Sequence, residues 1–280
     1  FKMLEYNWFY ADFYHYNTRQ FFDQDMGGNN GAHLTPSRKP NGSLYTADFK
    51  LGSPFETFDQ GDLRKAPYHY QGTDQYEGMF IIGPHKTPSG EAILGGEEYK
   101  DKPLTFVDQV GRFSEVGPGK KYSSVDQLPS KMSEGEENTG IRLVKVPIPN
   151  LANNTLRWGA DMPVIRLAEI YYMLAESSFR LGDKQKAAEL FNSVRKRNFA
   201  SNVDPNPVTA TNIDKYRILD EWSIEFIGEG RRRTDLIRWK AFTTEKWWDH
   251  NPSNSAHLNR FPVPNQAIAG NSNLAQNPGY

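Results

Sequence analysis

The sequence predicts a mainly α-helical protein whose helices pair as hairpins, with long irregular loops and short β-strands attached. From residue 161 onward, apolar residues recur at helical spacing, as at Ile165, Ala168, Tyr172 and Ala175. Residues 1–150 lack this period and are broken by turns rich in Gly, Pro and Asn. We therefore expect a loop-rich region over 1–150 and a helical region over 151–280.

The first predicted helix covers residues 163–181 and the second covers 184–198. Asp161 is the expected N-cap of the first helix, and Asp183 that of the second, because a side-chain oxygen can accept the free N–H groups of a first turn. Gly182 separates the helices, so they should form an antiparallel hairpin.

The hairpin has the spacing of a tetratricopeptide unit, in which Leu174 and Ala175 face Ala187 and Phe191. One such unit cannot bury both of its faces, so partner helices are required, some of them beyond this chain.

Further elements follow from the same patterns. A third helix is predicted over about 212–228, and a fourth follows the GEGRRR turn. Short strands bounded by Gly or Pro are predicted at 79–82, 104–107 and 141–146, and an exposed polar loop at 117–140. Phe261, Pro262 and Tyr280 of the tail are expected to pack back on the helical core.

Composition excludes several classes of protein. There are 33 basic and 34 acidic residues and a net charge of −1, which lacks the basic excess that a nucleic-acid surface requires. The absence of cysteine excludes disulfides, thiolate zinc sites and cysteine nucleophiles. No run of 18 apolar residues is present for a membrane-spanning helix. The chain opens at Phe1 without an initiator Met or a signal-like segment, which suggests a processed product or a fragment.

An aromatic segment is the strongest candidate for ligand binding. Residues 1–22 hold ten aromatic side chains, and sugars stack their C–H faces on such rings. Rings at even positions would share one face of an extended segment. The alternative is that these rings pack in a core that has few aliphatic residues. The predicted ligand-binding residues are Trp8, Tyr10, Tyr14, Tyr16 and Tyr45, and weaker candidates are Tyr68, Tyr70 and Tyr76.

Metal binding, cofactor binding and catalysis have no comparable signal. Residues 23–31 begin like a calcium loop, but Leu34 stands where the loop's last acidic ligand belongs, so a turn is favoured. His250 and His257 share a loop without metal-ligand spacing. No phosphate-binding loop or Gly-x-Ser-x-Gly motif occurs. We therefore predict no catalytic residue, no metal and no cofactor.

Several sequence blocks resemble the C-terminal half of SusD/RagB-type proteins. The blocks are PVIRLAEIYYMLAESSFRLGD at 163–183, ILDEWSIEFIGEGRRRTDLIRW at 218–239, RFPVPNQAI at 260–268 and NLAQNPGY at 273–280, with GDLRK at 61–65 and GIRLVKV at 140–146. Their order and combination are specific, which the hairpin pattern by itself is not.

The resemblance implies an α-superhelix of tetratricopeptide units in an outer-membrane lipoprotein of Bacteroidetes-like bacteria. Such a protein faces the medium, sits as a lid on a SusC-like TonB-dependent transporter, and binds glycan or, in some relatives, peptide. Family members begin with a lipidated Cys and a further helical half, and neither is present in this chain. The expected function is thus non-catalytic oligosaccharide binding and delivery to the transporter, with a peptide-binding relative as the alternative.

A glycoside hydrolase is the third hypothesis, and it would use paired carboxylates at the corner between the last two predicted helices. The corner holds Glu225, Glu229, Asp235 and the basic run 231–233. The resemblance gives this block a structural role, so we favour a salt-bridge network, with Gly228 and Gly230 permitting close helix approach. Asp59 and Asp62 with Arg64 are similarly expected to pin a loop.

Overall fold

The structure is a computed structural model that combines a loop-rich layer of small sheets with a bundle of helices. It describes residues 34–72, 75–86, 90–96, 98–130, 134–145, 164–248 and 250–280. Within these ranges, no helix has the length and apolar character needed to cross a bilayer.

The loop-rich region contains a short helix, α1, and small antiparallel sheets of two strands each. α1 spans Pro54–Thr57; β1 (His69–Gly72) pairs with β2 (Gln75–Glu77), β3 (Phe80–Ile81) with β6 (Arg142–Leu143), and β4 (Gly83–Pro84) with β5 (Thr105–Phe106). The strands predicted at 79–82, 104–107 and 141–146 are confirmed by β3, β5 and β6, although each is only two residues long. β1, β2 and β4 were not predicted.

The loop predicted to be exposed at 117–140 turns inward at its end. Glu136 and Glu137 are 4% and 1% exposed. The Glu137 carboxylate accepts the backbone N–H groups of Gly96 and Tyr99 at 2.9 and 3.0 Å, and Glu136 accepts that of Ser114. The expectation of exposure was wrong here because these carboxylates satisfy loop amides that lack a strand partner.

The predicted hairpin is confirmed, with shorter helices. α2 spans Leu167–Arg180 and packs along α3, Lys184–Arg195. The Asp183 carboxylate accepts the Lys186 N–H at 2.9 Å, as expected of an N-cap. Gly182 has φ +91°, a left-handed conformation that ends α2 at low steric cost. The predicted start at residue 163 was wrong, because Arg166 is extended and occupies the cap position; Asp161 lies outside the described residues.

The seam of the hairpin is built from small and aromatic side chains. Ala175, Ala187 and Phe191 are fully buried. The Tyr172 ring lies edge-on to Phe191 at 4.7 Å between centroids. Leu174 was wrongly assigned to this seam and is 52% exposed, because the buried stripe of α2 falls one helical position away from it.

The opposite side of α2 is apolar and uncovered by any described residue. Leu167, Ile170, Tyr171 and Leu174 follow the i, i+3, i+4, i+7 spacing of one helix face, and all are exposed. The expectation that one hairpin cannot bury both of its faces holds within the part of the chain that the structure describes.

The remaining helices are α4 (Lys215–Glu225), α5 (Arg232–Arg238) and α6 (Asn265–Gly270). The third predicted helix is thus shorter than expected at both ends, since Asp214 caps α4 through the Arg217 N–H at 2.8 Å. Gly228 and Gly230 connect α4 to α5 with φ of +78° and +73°. A Cβ added at Gly230 would meet no atom within 4 Å. Gly230 is therefore favoured by its left-handed backbone conformation. The expectation that Gly230 permits the two helices to approach closely was wrong.

The C-terminal tail contacts α5 without entering a core. The Arg233 guanidinium lies 4.0 Å from the Phe261 ring centre and donates to the Leu258 carbonyl. Phe261 and Tyr280 stay 69% and 46% exposed, and Pro262 is exposed as well. The expected packing of these three residues on the helical core is thus limited to the contact of Phe261 with Arg233. The tail stabilises itself instead, for example through the Tyr280 hydroxyl, which donates to the Arg260 carbonyl at 2.7 Å.

Candidate functional site

The predicted ligand-binding rings fall into two groups. Trp8, Tyr10, Tyr14 and Tyr16 lie outside the described residues, so their role stays a prediction. Tyr45 is 6% exposed and packs against Phe49 and Trp248, with ring centroids 6.0 and 5.6 Å away. The expectation of an exposed Tyr45 ring was wrong, because this ring is part of a small core cluster and has no open face of useful size.

Among the weaker tyrosine candidates, the structure places one side chain in a core. Tyr68 is 6% exposed and belongs to the core cluster beneath the small sheets. Tyr70 and Tyr76 are paired residues of β1 and β2. The calcium-like segment 23–31 lies outside the described residues.

The corner between α4 and α5 is organised around Glu225. Its carboxylate is 3% exposed and accepts hydrogen bonds from Arg64 at 3.0 Å, from Arg166 at 2.9 Å, and from Arg197. The Arg64 guanidinium also donates two hydrogen bonds to the Asp62 carboxylate, at 2.7 and 3.0 Å. This confirms that Asp62 and Arg64 pin the 61–65 loop, and it shows that they pin it to the helices.

Glu229 forms the second half of the corner. Arg166 binds it through two parallel bonds of 2.9 Å, the fork geometry that guanidinium and carboxylate favour. The Lys145 ammonium lies 3.0 Å from the same carboxylate and donates to the Glu225 carbonyl. A salt-bridge network at the corner is therefore confirmed, and it joins the segment after β6 and the N-cap of α2 to the end of α4.

The basic run 231–233 was wrongly expected to supply the cations of this network. Arg232 and Arg233 donate to backbone carbonyls instead, and Arg231 pairs with Glu169.

A separate network surrounds Arg195, which is 2% exposed. Its guanidinium donates to Asp59 at 2.7 Å, to Asp204 at 2.8 Å and to Glu221 at 2.5 Å. Asp59 thus pins its loop to α3, as expected. Three carboxylates around one guanidinium satisfy a buried cation that would otherwise be costly.

These charges fix the protonation state of the corner. Burial would raise the pKa of Glu225, but Arg64, Arg197 and Arg166 together hold that pKa below its ordinary value. Burial lowers the pKa of Lys145, and the neighbouring Glu229 opposes this. A glycosidase pair needs one carboxyl that keeps its proton near neutral pH. Glu225 is instead an ionised group that accepts hydrogen bonds from arginines, so this residue does not fit the role of the acid.

Two open spaces lie beside α4. A cavity of about 390 Å³ is lined mainly by apolar side chains that include Leu51, Trp222, Phe226 and Trp247. A cleft of about 540 Å³ lies between residues 46–57 and α4, and its lining includes carboxylate, hydroxyl and ammonium groups as well as aromatic rings. We call the second space the α4 cleft.

The described residues contain no group of three His, Asp or Glu side chains suited to a metal ion. His250 stacks on Trp247 with ring centres 3.6 Å apart and planes 7° from parallel. His257 contacts the Ser255 hydroxyl at 2.8 Å and the Tyr280 ring. The two histidines therefore have packing roles in this structure.

The roles of Arg166, Lys145 and Arg195 in these salt-bridge networks were not predicted from the sequence. A signal was available on the helices themselves, because Glu176 and Arg195 fall on the apolar stripes of α2 and α3. A charged side chain at such a position requires a buried partner. Glu176 shows this directly, since it accepts the Trp222 indole N–H at 3.0 Å and is bound by Arg238.

Comparison with known proteins identifies the chain's family. Residues 10–280 match the model of the SusD family. The chain is 39% identical over 127 residues to the starch-binding protein SusD of Bacteroides thetaiotaomicron, which covers 43% of this chain and 22% of that protein. It is 32% identical over 129 residues to a SusD-like protein, P25, of Formosa agariphila, covering 42% of this chain and 24% of that one.

A SusD superfamily protein of Bacteroides fragilis is among the similar solved structures. It is 21% identical with a TM-score of 0.49, and the match covers 95% of this chain and 48% of that one. The matched segments amount to less than a quarter of the length of the two curated relatives.

Proposed function

Because the chain belongs to the SusD family, we propose that it is a non-catalytic glycan-binding protein of the bacterial cell surface. The observation that carries the proposal is the family match over 10–280, together with 39% identity to a relative named for starch binding. The proposed ligand is an oligosaccharide, and the proposed next step is its delivery to a SusC-like TonB-dependent transporter in the outer membrane.

The charge network supports binding without cleavage. The carboxylates of Glu225 and Glu229 are engaged by Arg64, Arg166 and Lys145, which leaves neither as a free acid or nucleophile. A protein that passes its ligand onward also gains nothing from breaking it. We therefore favour a capture protein over the glycoside hydrolase hypothesis.

Location and partners follow from the family resemblance. The protein would lie on the extracellular face of the outer membrane, held by an N-terminal lipid anchor. Contact with nucleic acid is not proposed, because 33 basic residues are balanced by 34 acidic ones.

Ring stacking gives the affinity that such a role needs. Each stacked ring adds on the order of 1 kcal/mol beyond the area that it buries, so a few rings give micromolar to millimolar dissociation constants. Such affinity allows capture from the medium and release to a transporter. The proposed rings are Trp8, Tyr10, Tyr14 and Tyr16.

The test is calorimetric titration of the wild type with maltoheptaose, cellohexaose, xylohexaose and a peptide panel. Trp8→Ala and Tyr14→Ala should weaken binding of the active glycan about tenfold with unchanged melting temperature. Phe261→Ala is the matched control, because it removes an exposed ring of the tail and should leave affinity unchanged.

Three results would contradict the proposal. Binding of peptides but of no glycan would favour the peptide-binding alternative. New reducing ends in the glycan solutions would favour the hydrolase. Ring variants that bind like the wild type would place the stacking rings elsewhere in the protein.

A further inference from the structure

The α4 cleft is an open space between the loop-rich region and α4. Its volume is about 540 Å³, and one wall is α4 while the other is the 46–57 segment. The walls contribute hydroxyl, carboxylate and ammonium groups together with two aromatic rings. The lining includes Asp48, Lys50, Glu56, Tyr216 and Asp220.

Two of the cleft's carboxylates already have partners. Asp48 pairs with Lys39 at 2.5 Å. Glu56 lies 3.5 Å from Lys65 and 3.6 Å from Arg38. The charge of these carboxylates is therefore balanced within the protein.

Asp220 differs from them, because its side-chain carboxylate makes no ion pair or hydrogen bond with the residues that the structure describes. It is half-buried on α4. Its strongest cationic neighbour, Arg232, donates to the Leu219 carbonyl at 2.5 Å instead. Burial raises the pKa of Asp220 to about 7, and the attraction of Arg232 opposes this. A half-buried carboxylate without a donor is costly, and such groups in native proteins usually meet water or a ligand.

The chemistry of the walls restricts what the cleft can hold. A cation would have to enter beside the Lys50 ammonium, which lies 4.9 Å from the Tyr216 ring centre. An anion would meet the Asp220 carboxylate, which has no ion-pair partner among the described residues. A neutral ligand rich in hydroxyl groups avoids both penalties, because it can donate to carboxylates and accept from an ammonium.

We propose that the α4 cleft is a glycan-contacting site in which the Asp220 carboxylate accepts hydrogen bonds from sugar hydroxyls. This inference rests on the proposed function, since it supplies a second contact for the same class of ligand. It adds a polar subsite on the helical region to the stacking surface proposed in residues 1–22.

The test compares Asp220→Asn with the wild type by titration with the glycan of the panel that the wild type binds. Asparagine keeps one acceptor and the side-chain shape but loses the charge, so affinity should fall about tenfold. Asp126→Asn, at an exposed position outside the cleft, is the matched control and should bind like the wild type.

A second measurement keeps the test valid if Asp220→Asn folds poorly. Amide hydrogen exchange of the wild type at saturating glycan should slow in residues 46–57 and stay unchanged in the tail from 251 to 280. Unchanged exchange in 46–57, or full affinity in Asp220→Asn, would overturn the cleft assignment and leave the proposed function standing. A wild type that binds no glycan would overturn both.

Discussion

Buried carboxylates in this protein differ according to whether arginines reach them. Glu225 contacts three guanidiniums, which hold its pKa low. Asp108 is 7% exposed, and its Oδ1 accepts the Ser37 N–H at 3.1 Å, while Oδ2 has no hydrogen-bond partner. Burial raises the pKa of Asp108 to about 6; Glu56 adds to the rise, and Arg38 opposes it.

The raised pKa of Asp108 predicts a pH-dependent cost of folding. The folded protein binds the Asp108 proton more tightly than the unfolded chain, whose pKa is 3.8. This group's contribution to stability is therefore full below pH 3.8 and is lost as pH rises through about 6. Asp108→Asn should be more stable than the wild type at pH 7.5, by at most about 3 kcal/mol. The gap should close by pH 4.

Urea unfolding at several pH values measures this gap. Asp126→Asn provides the control, since an exposed carboxyl should give no such gap. A pH-independent difference between Asp108→Asn and the wild type would show that Asp108 keeps an ordinary pKa in the folded protein.

At the scale of elements, the α2–α3 hairpin separates two residues that the sequence pattern groups together. Ala187 is fully buried in the seam, while Leu174 is 52% exposed on the uncovered stripe of α2. A glutamate at 187 would place an unpaired charge against Phe191 and Tyr172, which costs several kcal/mol. A glutamate at 174 would remain in water.

We therefore expect Ala187→Glu to lower the unfolding free energy by about 3–5 kcal/mol, and Leu174→Glu by less than about 0.5 kcal/mol. Chemical denaturation of both variants measures the contrast. An equally large loss in Leu174→Glu would mean that the apolar stripe of α2 is covered in solution.

The limits of sequence-based prediction are visible in these same elements. Hydrophobic spacing predicts α2 and α3, and Gly and Pro boundaries predict the locations of β3, β5 and β6, because these signals are local. Tyr45 shows where local signals fail, since its burial depends on Trp248, a residue 203 positions away along the chain. The contacts of Glu225 with Arg64 and Arg166 also join distant segments, so no spacing rule could reveal them.

At the scale of the whole molecule, the loop-rich and helical regions contribute to a shared core cluster. Phe58, Phe80 and Ile141 cluster with Ile224 and Ile227 from the helical side. Salt bridges between Asp59 and Arg195 and between Arg64 and Glu225 cross the same boundary. The division at residue 150 thus separates regions that differ in secondary structure, but each region buries side chains of the other.

This shared core predicts a single cooperative unfolding transition. Phe80 and Phe191 are both fully buried, one beside Phe55 and Phe58 in the loop-rich region and the other beside Tyr172 in the hairpin. Phe80→Ala and Phe191→Ala should each lower the unfolding free energy by about 3–5 kcal/mol. Because the regions unfold together, each variant should shift the whole transition.

Tryptophan fluorescence and far-ultraviolet circular dichroism, recorded on the same urea series, measure this directly. The two probes should give coincident curves in the wild type and in both variants. Phe261→Ala, an exposed ring in the tail, is the control and should leave the midpoint in place. Two separable transitions, with Phe80→Ala moving one and Phe191→Ala the other, would show that the regions are independent domains and that the Phe80–Ile224 cluster contributes little to stability.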